Sequence, residues 1–365
     1  MKIRDVISQI ETIAPLAFQE SYDNSGLCVG SPAGEVNGIL ITLDVTEEVI
    51  EEAIRKKADL IISHHPLIFQ GLKRITGNTP QERCVIKAIR HGIAVYCAHT
   101  NMDNVIHQGV NEALAAKIGL SSCRVLVPLR GHLCKLVTFV PHAYAETVRN
   151  ALFEAGAGQI GNYDCCSYNL QGEGTFRAGE NTHPFTGQQG TLHREPETRI
   201  EVILPRHLQS SVLHALLKVH PYEEPAYDIY LLENPHPWAG AGVIGEFLSP
   251  LDESSFLNHV KKVTGVPVLR HSPCTGKMIK KVALCGGSGG FLISEALRAG
   301  ADAFVTADLK YHQFQEGDGV ILLVDAGHYE TEQFVKEVFY SLITKKIPNF
   351  AVHLSEVETN PVKYK

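Results

Sequence analysis

Two adjacent histidines, His64 and His65, and a third, His328, four residues ahead of Glu332, are the side chains whose types and spacing best suit metal ions. Imidazole nitrogens and carboxylate oxygens together form the mixed donor set favoured by zinc, iron or manganese. Neighbouring side chains on a strand exit point to opposite sides, so His64 and His65 suit two ions more readily than one. Residues four apart share a helical face, which would bring His328 and Glu332 together. Asp103 supplies a further carboxylate. Two ions about 3.5–4 Å apart share a bridging hydroxide and polarise a phosphoryl or carbonyl oxygen, which is hydrolytic chemistry. His99, Asp308 and His312 lack an evident ligand partner; all three are candidates for acid–base work or for supporting the ligands, and equally for hydrogen-bonded core residues.

Taken singly, each piece has a plainer reading: a buried imidazole at a turn, a solvated ion pair, a turn aspartate. What joins them is position. Periodicity predicts strands at 38–43, 59–63 and 93–98, with helices at 46–57, capped by Thr46, and near 81–91. Strand 59–63 runs into His64-His65, and 93–98 into residues 99–103. Farther on, strand 303–306 runs into Asp308 and His312, and 320–324 into residues 325–332. Strands alternating with helices indicate a parallel sheet, and such sheets bind ligands beyond the carboxyl ends of their strands. The run Gly286-Gly287-Ser288-Gly289-Gly290 follows strand 282–285 and reads equally as a phosphate-cradling turn or as a tight strand-to-helix turn.

The α/β pattern occurs twice. With Ile39 laid on Val282, residues 51–63 (EEAIRKKADLIIS) fall on 294–306 (SEALRAGADAFVT) with five identities, Glu52, Ala53, Arg55, Ala58 and Asp59 matching Glu295, Ala296, Arg298, Ala301 and Asp302. Residues 1–126 and 236–365 therefore read as one discontinuous domain of two similar halves. Residues 127–235 read as an insertion. Its β-α-β-β-α-β order is ferredoxin-like, with strands at 133–140, 198–204 and 228–232, helices at 143–155 and 206–219, and a glycine-rich hairpin or loop across 156–190. Within it, Cys165-Cys166 read as strand packing and residues 220–225 (HPYEEP) as a rigid polar loop.

Composition narrows the classes. A chain of 365 residues is long enough for two domains. With 44% hydrophobic and 20% charged residues, and a mean hydropathy of −0.03, it is neither disordered nor fibrous. No apolar run is long enough to span a membrane, and the opening MKIRDVISQIETIAPL has no signal-peptide layout, so a cytoplasmic location is expected. Nine cysteines without a CxxC pair argue against a disulfide framework. A net charge of −7 without long basic runs disfavours nucleic acid as partner. The 18 histidines are the one compositional hint of metal or proton chemistry.

The segments SYDNSGLCVG (21–30), SHHPLIF (63–69), HTNMDN (99–104), GGSGG (286–290), TADLKYHQ (306–313), GHYETE (327–332) and TNPVKY (359–364) together resemble the Nif-three-like family, whose members include type 2 homologues of GTP cyclohydrolase I. The resemblance spans both outer segments, and the insertion resembles the PII/CutA-like middle domain of the longer bacterial members. It implies a three-layer α/β/α core, two divalent metal ions per chain, with zinc the first choice and iron or manganese next, and a toroidal homohexamer. Carried over by position, His64, His65, Asp103, His328 and Glu332 are the metal ligands, with Glu332 bridging. Ala307 stands where many relatives have glycine, a mild departure that leaves the five ligand positions intact. The function expected is a metal-dependent hydrolase of a nucleotide or phosphoester-like small molecule, with a cyclohydrolase that opens a purine ring, His99 or His312 moving the proton, as one form of it. The alternative is a non-catalytic metal-binding assembly or regulatory protein, with the insertion gating it or binding an effector.

Overall fold

Runs of aliphatic residues with no polar partner to turn toward water form the central strands. In the computed structural model, which describes residues 1–365, the first half builds Gly26–Val29 (β1), Gly38–Thr42 (β2), Leu60–Ser63 (β3) and Ala94–Cys97 (β4). Every residue of β2, β3 and β4 is buried, as required of parallel strands covered on both faces. Helices Glu47–Lys56 and Pro80–Arg90 make the crossovers, capped by the hydroxyls of Thr46 and Thr79, which accept from the amides of Val49 and Glu82. Ser121–Pro128 (β5) leads to the insertion, with strands Leu133–Pro141 (β6), Tyr168–Arg177 (β7), Leu192–Pro205 (β8) and Tyr227–Leu232 (β9). The second half resumes with Gly240–Leu251 (β10), Arg270–His271 (β11), Ile279–Ser288 (β12), Ala303–Ala307 (β13), Leu322–Asp325 (β14) and Ala351–Leu354 (β15).

The chain divides into two compact units, residues 1–128 with 238–365, and residues 129–237. The discontinuous unit holds two sheets, of order β1-β4-β3-β2-β15 and β11-β14-β13-β12-β10-β5. Pleat alternation sends Leu40, Ile61 and Val95 into one core with the two crossover helices. In the second sheet Val282, Leu284, Val305 and Val324 face Phe256 and Val260, whereas Ala283, Phe304 and Leu323 face Ile293 and Ala296. Each sheet is thus a filling between helical layers, the α/β class expected.

The internal repeat holds at the level of single hydrogen bonds. Ile39 pairs with Leu60 in one sheet, and Val282 with Ala303 at the matching positions of the other. Asp59 Oδ2 accepts from the amide of Asn37 at 2.9 Å, and its counterpart Asp302 accepts from the amide of Lys280 at 2.9 Å. Helix Glu47–Lys56 ends on Lys57 at φ +56°, and the shorter helix Ile293–Arg298 is followed by Gly300 at φ +69°. The identities are those of one closure geometry used twice.

In the insertion, order β7-β8-β6-β9 with every neighbour antiparallel is the ferredoxin-like arrangement. Helices Ala145–Glu154 and Gln209–Val219 cover one face through Val148, Leu152, Val212 and Leu216. Cys165 and Cys166 correct the expectation for them: they precede β7 in a bend, Cys165 exposed at φ +53°, because the glycine-rich approach delays the strand until Tyr168. Residues 220–225 form a loop as read. All nine cysteines are free, and no helix is long and apolar enough to cross a membrane.

Candidate metal centre

Three strand exits deliver the candidate ligands to one place. After β3 the amides of His64 and His65 both donate to the Leu43 carbonyl, at 3.2 and 2.9 Å, fixing the backbone where the two rings diverge. Beyond β4 the short helix Thr100–Asp103 carries Asp103, held by Asn111, whose Nδ2 donates to the Asp103 carbonyl at 3.0 Å. At the end of β14, Gly327 at φ +83° turns the chain into helix His328–Glu332. A side chain at Gly327 would collide with the Glu330 carboxylate 2.2 Å away, so glycine is needed there for both conformation and space.

Four imidazoles are oriented alike. The Nδ1–H of His64 donates to the Ala98 carbonyl at 2.9 Å, that of His65 to Asp44 at 2.7 Å, that of His99 to Asp23 at 2.8 Å and that of His328 to Asp308 at 2.7 Å. With Nδ1 occupied, each ring offers Nε2 to the centre, the tautomer control that metal-binding histidines need. Glu332 lies among them: Oε2 is 2.9 Å from His65 Nε2 and 3.1 Å from His328 Nε2, while Oε1 is 3.8 Å from His64 Nε2.

Two sets of three ligand atoms result, His64 with Asp103 and Glu332, and His65 with His328 and Glu332; His64, His65 and His99 form a third. His64 Nε2 and Asp103 Oδ1, 3.6 Å apart, are both buried without a hydrogen-bond partner. Buried polar atoms left unpaired cost about 1–3 kcal/mol each, and a cation between these two would satisfy both. The residues fit the group that the donor set suggests.

Charge at the centre is uneven in the metal-free chain. Burial and the neighbouring Glu332 charge push the Asp103 carboxyl well above the usual range. Burial acts the same way on Glu332, but the His328 and His65 imidazoles at bonding distance, with the His64 ring beside them, outweigh it and hold Glu332 well below its ordinary value. Burial depresses His64. It also opposes protonation of His65 and His328, yet bonds to Asp44 and Glu332 raise the first to about 9, and bonds to Asp308 and Glu332 raise the second to about 11.

The glycine run serves this geometry. Three of its amides are spoken for: Gly286 donates to Asn111 Oδ1, Gly287 to Thr331 Oγ1 and Gly289 to Thr306 Oγ1. That favours the tight turn over the phosphate cradle. A Cβ on Gly287 would lie 2.0 Å from Glu332 Oε1, so the turn is shaped around the carboxylate.

His99 stands with the cluster, its ring centroid 5.3 Å from His64 and 5.5 Å from His65. His312 does not: it is exposed on the turn Tyr311–Gln315, with its ring against Tyr311. The crossover from β13 to β14 makes a 3₁₀ turn where the first half makes a full helix, and the ring is carried outward. Sequence reasoning missed Asp23 and Asp44. Asp44 follows β2 and was findable by the same strand-exit rule; Asp23 precedes β1 and carries no such signal. A cleft of about 380 Å³ opens beside the centre, lined by His65, His328, Asp308, Arg270 and Tyr364 among others.

Comparison with known proteins follows the same outline. A family model described as Duf34/NIF3 (NGG1p interacting factor 3) matches residues 1–361. A Halalkalibacterium halodurans protein named GTP cyclohydrolase 1 type 2 homolog is 40% identical over 365 residues, covering 98% of each chain. A Bacillus subtilis protein of the same name is 38% identical over 371 residues, covering 99% of this chain and 98% of the relative. Among solved structures, a Bacillus cereus protein related to NIF3 superposes with a TM-score of 0.87 at 38% identity, covering 100% of this chain and 99% of the other.

Proposed function

The chain belongs to the Duf34/NIF3 family, and from that premise we propose that it is a dinuclear metal-dependent hydrolase of a nucleotide or a phosphoester-like small molecule. The observation that carries the reading is the double membership of Glu332, whose carboxylate completes both ligand sets. His64, Asp103 and Glu332 would hold one ion, and His65, His328 and Glu332 the other. Two divalent ions, zinc first and iron or manganese next, would when bound supply Lewis acidity toward a carbonyl or phosphoryl oxygen and toward water.

The chain's own residues do the rest. Asp44, Asp308 and the Ala98 carbonyl orient the ligating rings. His99, aligned by Asp23, presents Nε2 beside the centre and moves the proton. Bonds from His99, Thr100 and Ser25 outweigh burial and hold Asp23 well below the usual carboxylate range, so it stays an acceptor. The names of the relatives make a purine nucleotide the first substrate to try. Self-assembly as a toroidal homohexamer in the cytoplasm belongs to the same proposal.

The test is a turnover screen of GTP, other nucleotides and simple phosphoesters on protein loaded with two equivalents of zinc, iron or manganese. We expect one substrate class to turn over, and His99→Ala to abolish that turnover while leaving the metal content unchanged. Two bound metals with no turnover of any of these compounds would replace the enzyme by a metal-binding assembly.

A further inference from the structure

The inserted unit contains a cavity of about 740 Å³ that the metal chemistry does not use. Its floor is the sheet face opposite the helices: Phe139, Glu197 and Arg199 alternate in sequence with Val140, Thr198 and Ile200, and Val140 and Ile200 belong to the helix-covered core. Four rings line it, Phe139 in the floor and Phe176, Phe185 and Tyr222 around it. The Phe176 and Phe185 centroids lie 6.1 and 6.2 Å from that of Tyr222. A void of this size is in the range that holds a small organic ligand, about 300–1,000 Å³.

Glu197 decides what kind of ligand. The residue is only 8% exposed, and Tyr222 donates its hydroxyl to Oε1 at 2.7 Å. Gly174 leaves room for the other oxygen, since a Cβ there would meet Oε2 at 2.2 Å. No cation pairs with this carboxylate. Arg199 is turned to Glu201 at 2.9 Å and over the Phe139 ring, and Lys135 also goes to Glu201. His220 is committed on both nitrogens, Nε2–H to the Phe139 carbonyl at 2.9 Å and Nδ1 to the Tyr222 amide at 3.1 Å, which keeps it neutral. Arg177 lies five residues along β7 from Gly172, the residue opposite Glu197, and so roughly 17 Å away along the strand. Three further acids, Glu173, Glu223 and Glu224, line the cavity together with Arg177 and Arg199, and of these acids Glu173 is paired with Arg194.

Buried carboxylates are ordinarily paired with a cation, because an uncompensated one is costly. Aromatic faces add attraction for a positive charge within about 6 Å. We propose that this cavity binds a small organic cation, an amine or quaternary ammonium compound with an apolar body, whose charge meets Glu197 between the Phe176, Phe185 and Tyr222 rings. The inference stands apart from the proposed hydrolase chemistry.

Isothermal titration of the full chain with benzyltrimethylammonium, choline and spermidine tests it, with 3,3-dimethylbutanol as the uncharged isostere of choline. At least one cation should bind, the isostere should bind at least tenfold more weakly than choline or not at all, and Glu197→Gln should weaken cation binding tenfold or more. Glu197→Gln is nearly isosteric and its Oε1 can still accept from the Tyr222 hydroxyl, so without ligand it should melt no lower than the parent. A substantially lower melting point would mark Glu197 as merely structural and overturn the proposal. So would cation affinity indifferent to Glu197→Gln, equal affinity for the isostere, or no cation binding, including the case where a second copy of the chain fills the cavity and Glu197→Gln changes its sedimentation.

Discussion

The shared carboxylate makes unequal demands on single substitutions. Glu332→Ala takes a donor from both ligand sets, whereas Asp103→Ala takes one from the His64 set alone. Elemental analysis should therefore find about two ions per chain in the parent, about one in Asp103→Ala and less than one in Glu332→Ala. Equal retention by the two variants would remove the bridging role. Protons compete for the same atoms. His65 and His328, raised from 6.5 to about 9 and about 11, both carry a proton at neutral pH in the metal-free chain. Raised values mean that the stability they contribute is complete below pH 6.5 and is lost as pH rises, through about 9 for His65 and not until about 11 for His328. Ligation needs the neutral rings, so metal uptake releases protons, and affinity tightens up to about tenfold per pH unit for each proton displaced. Chelator-treated protein should melt lower at pH 9.5 than at pH 7, with metal affinity rising over the same interval. Calorimetry in buffers of different ionisation enthalpy counts the protons directly, and a count of zero would show these rings to be neutral before metal arrives.

Among the elements, the turn after β12 depends most on a distant residue. Gly287 sits at φ +60° with Glu332 Oε1 where a Cβ would go, whereas Gly92 sits at φ +66° with nothing within 4 Å. Each alanine substitution strains the backbone by about 1–3 kcal/mol, but only Gly287→Ala must also displace the carboxylate. Both variants should melt lower than the parent, and only Gly287→Ala should lose metal; if it keeps two tightly held ions, Glu332 is not confined by this turn. The contrast also shows what a sequence can reveal. Strands such as β2 and β3 are legible because burial on both faces excludes polar residues locally, and the repeat is legible because Asp59 and Asp302 close equivalent turns. Strand exits then select His64, His65, Asp103, His328 and Glu332. Contacts between distant segments are not legible in the same way. Asp44 meets His65 across 21 residues and Asp23 meets His99 across 76, and no periodic signal announces either pair. The exit rule also proposed His312, because it cannot see that a 3₁₀ turn replaces a helix there.

For the whole molecule, the decisive feature is how the chain leaves and re-enters the unit that carries the candidate metal ligands. Pro128 at the end of β5 is paired with Gly240 at the start of β10, and Val127 with Ala241, so the insertion departs and returns at neighbouring positions of one antiparallel ladder. A hairpin loop of about two to five residues closes such a ladder, and Asn-Gly placed ahead of Trp238 and Ala239 supplies four between the paired Pro128 and Gly240. Both cores are complete by themselves: Val125, Val243, Phe256 and Val282 pack within the outer unit, and Val140, Val148, Ile200 and Leu216 within the inserted one. All six residues gathered at the candidate metal centre, His64, His65, His99, Asp103, His328 and Glu332, come from the outer unit. Replacing residues 129–237 by Asn-Gly should therefore give a cooperatively folding protein that still takes up two ions per chain, while the excised segment alone should fold with its four-stranded sheet intact. Circular dichroism, cooperative melting and elemental analysis read these outcomes. A shortened chain that folds but takes up no metal would mean that the inserted unit helps to form the centre, and the assignment of metal binding to the outer unit alone would fall.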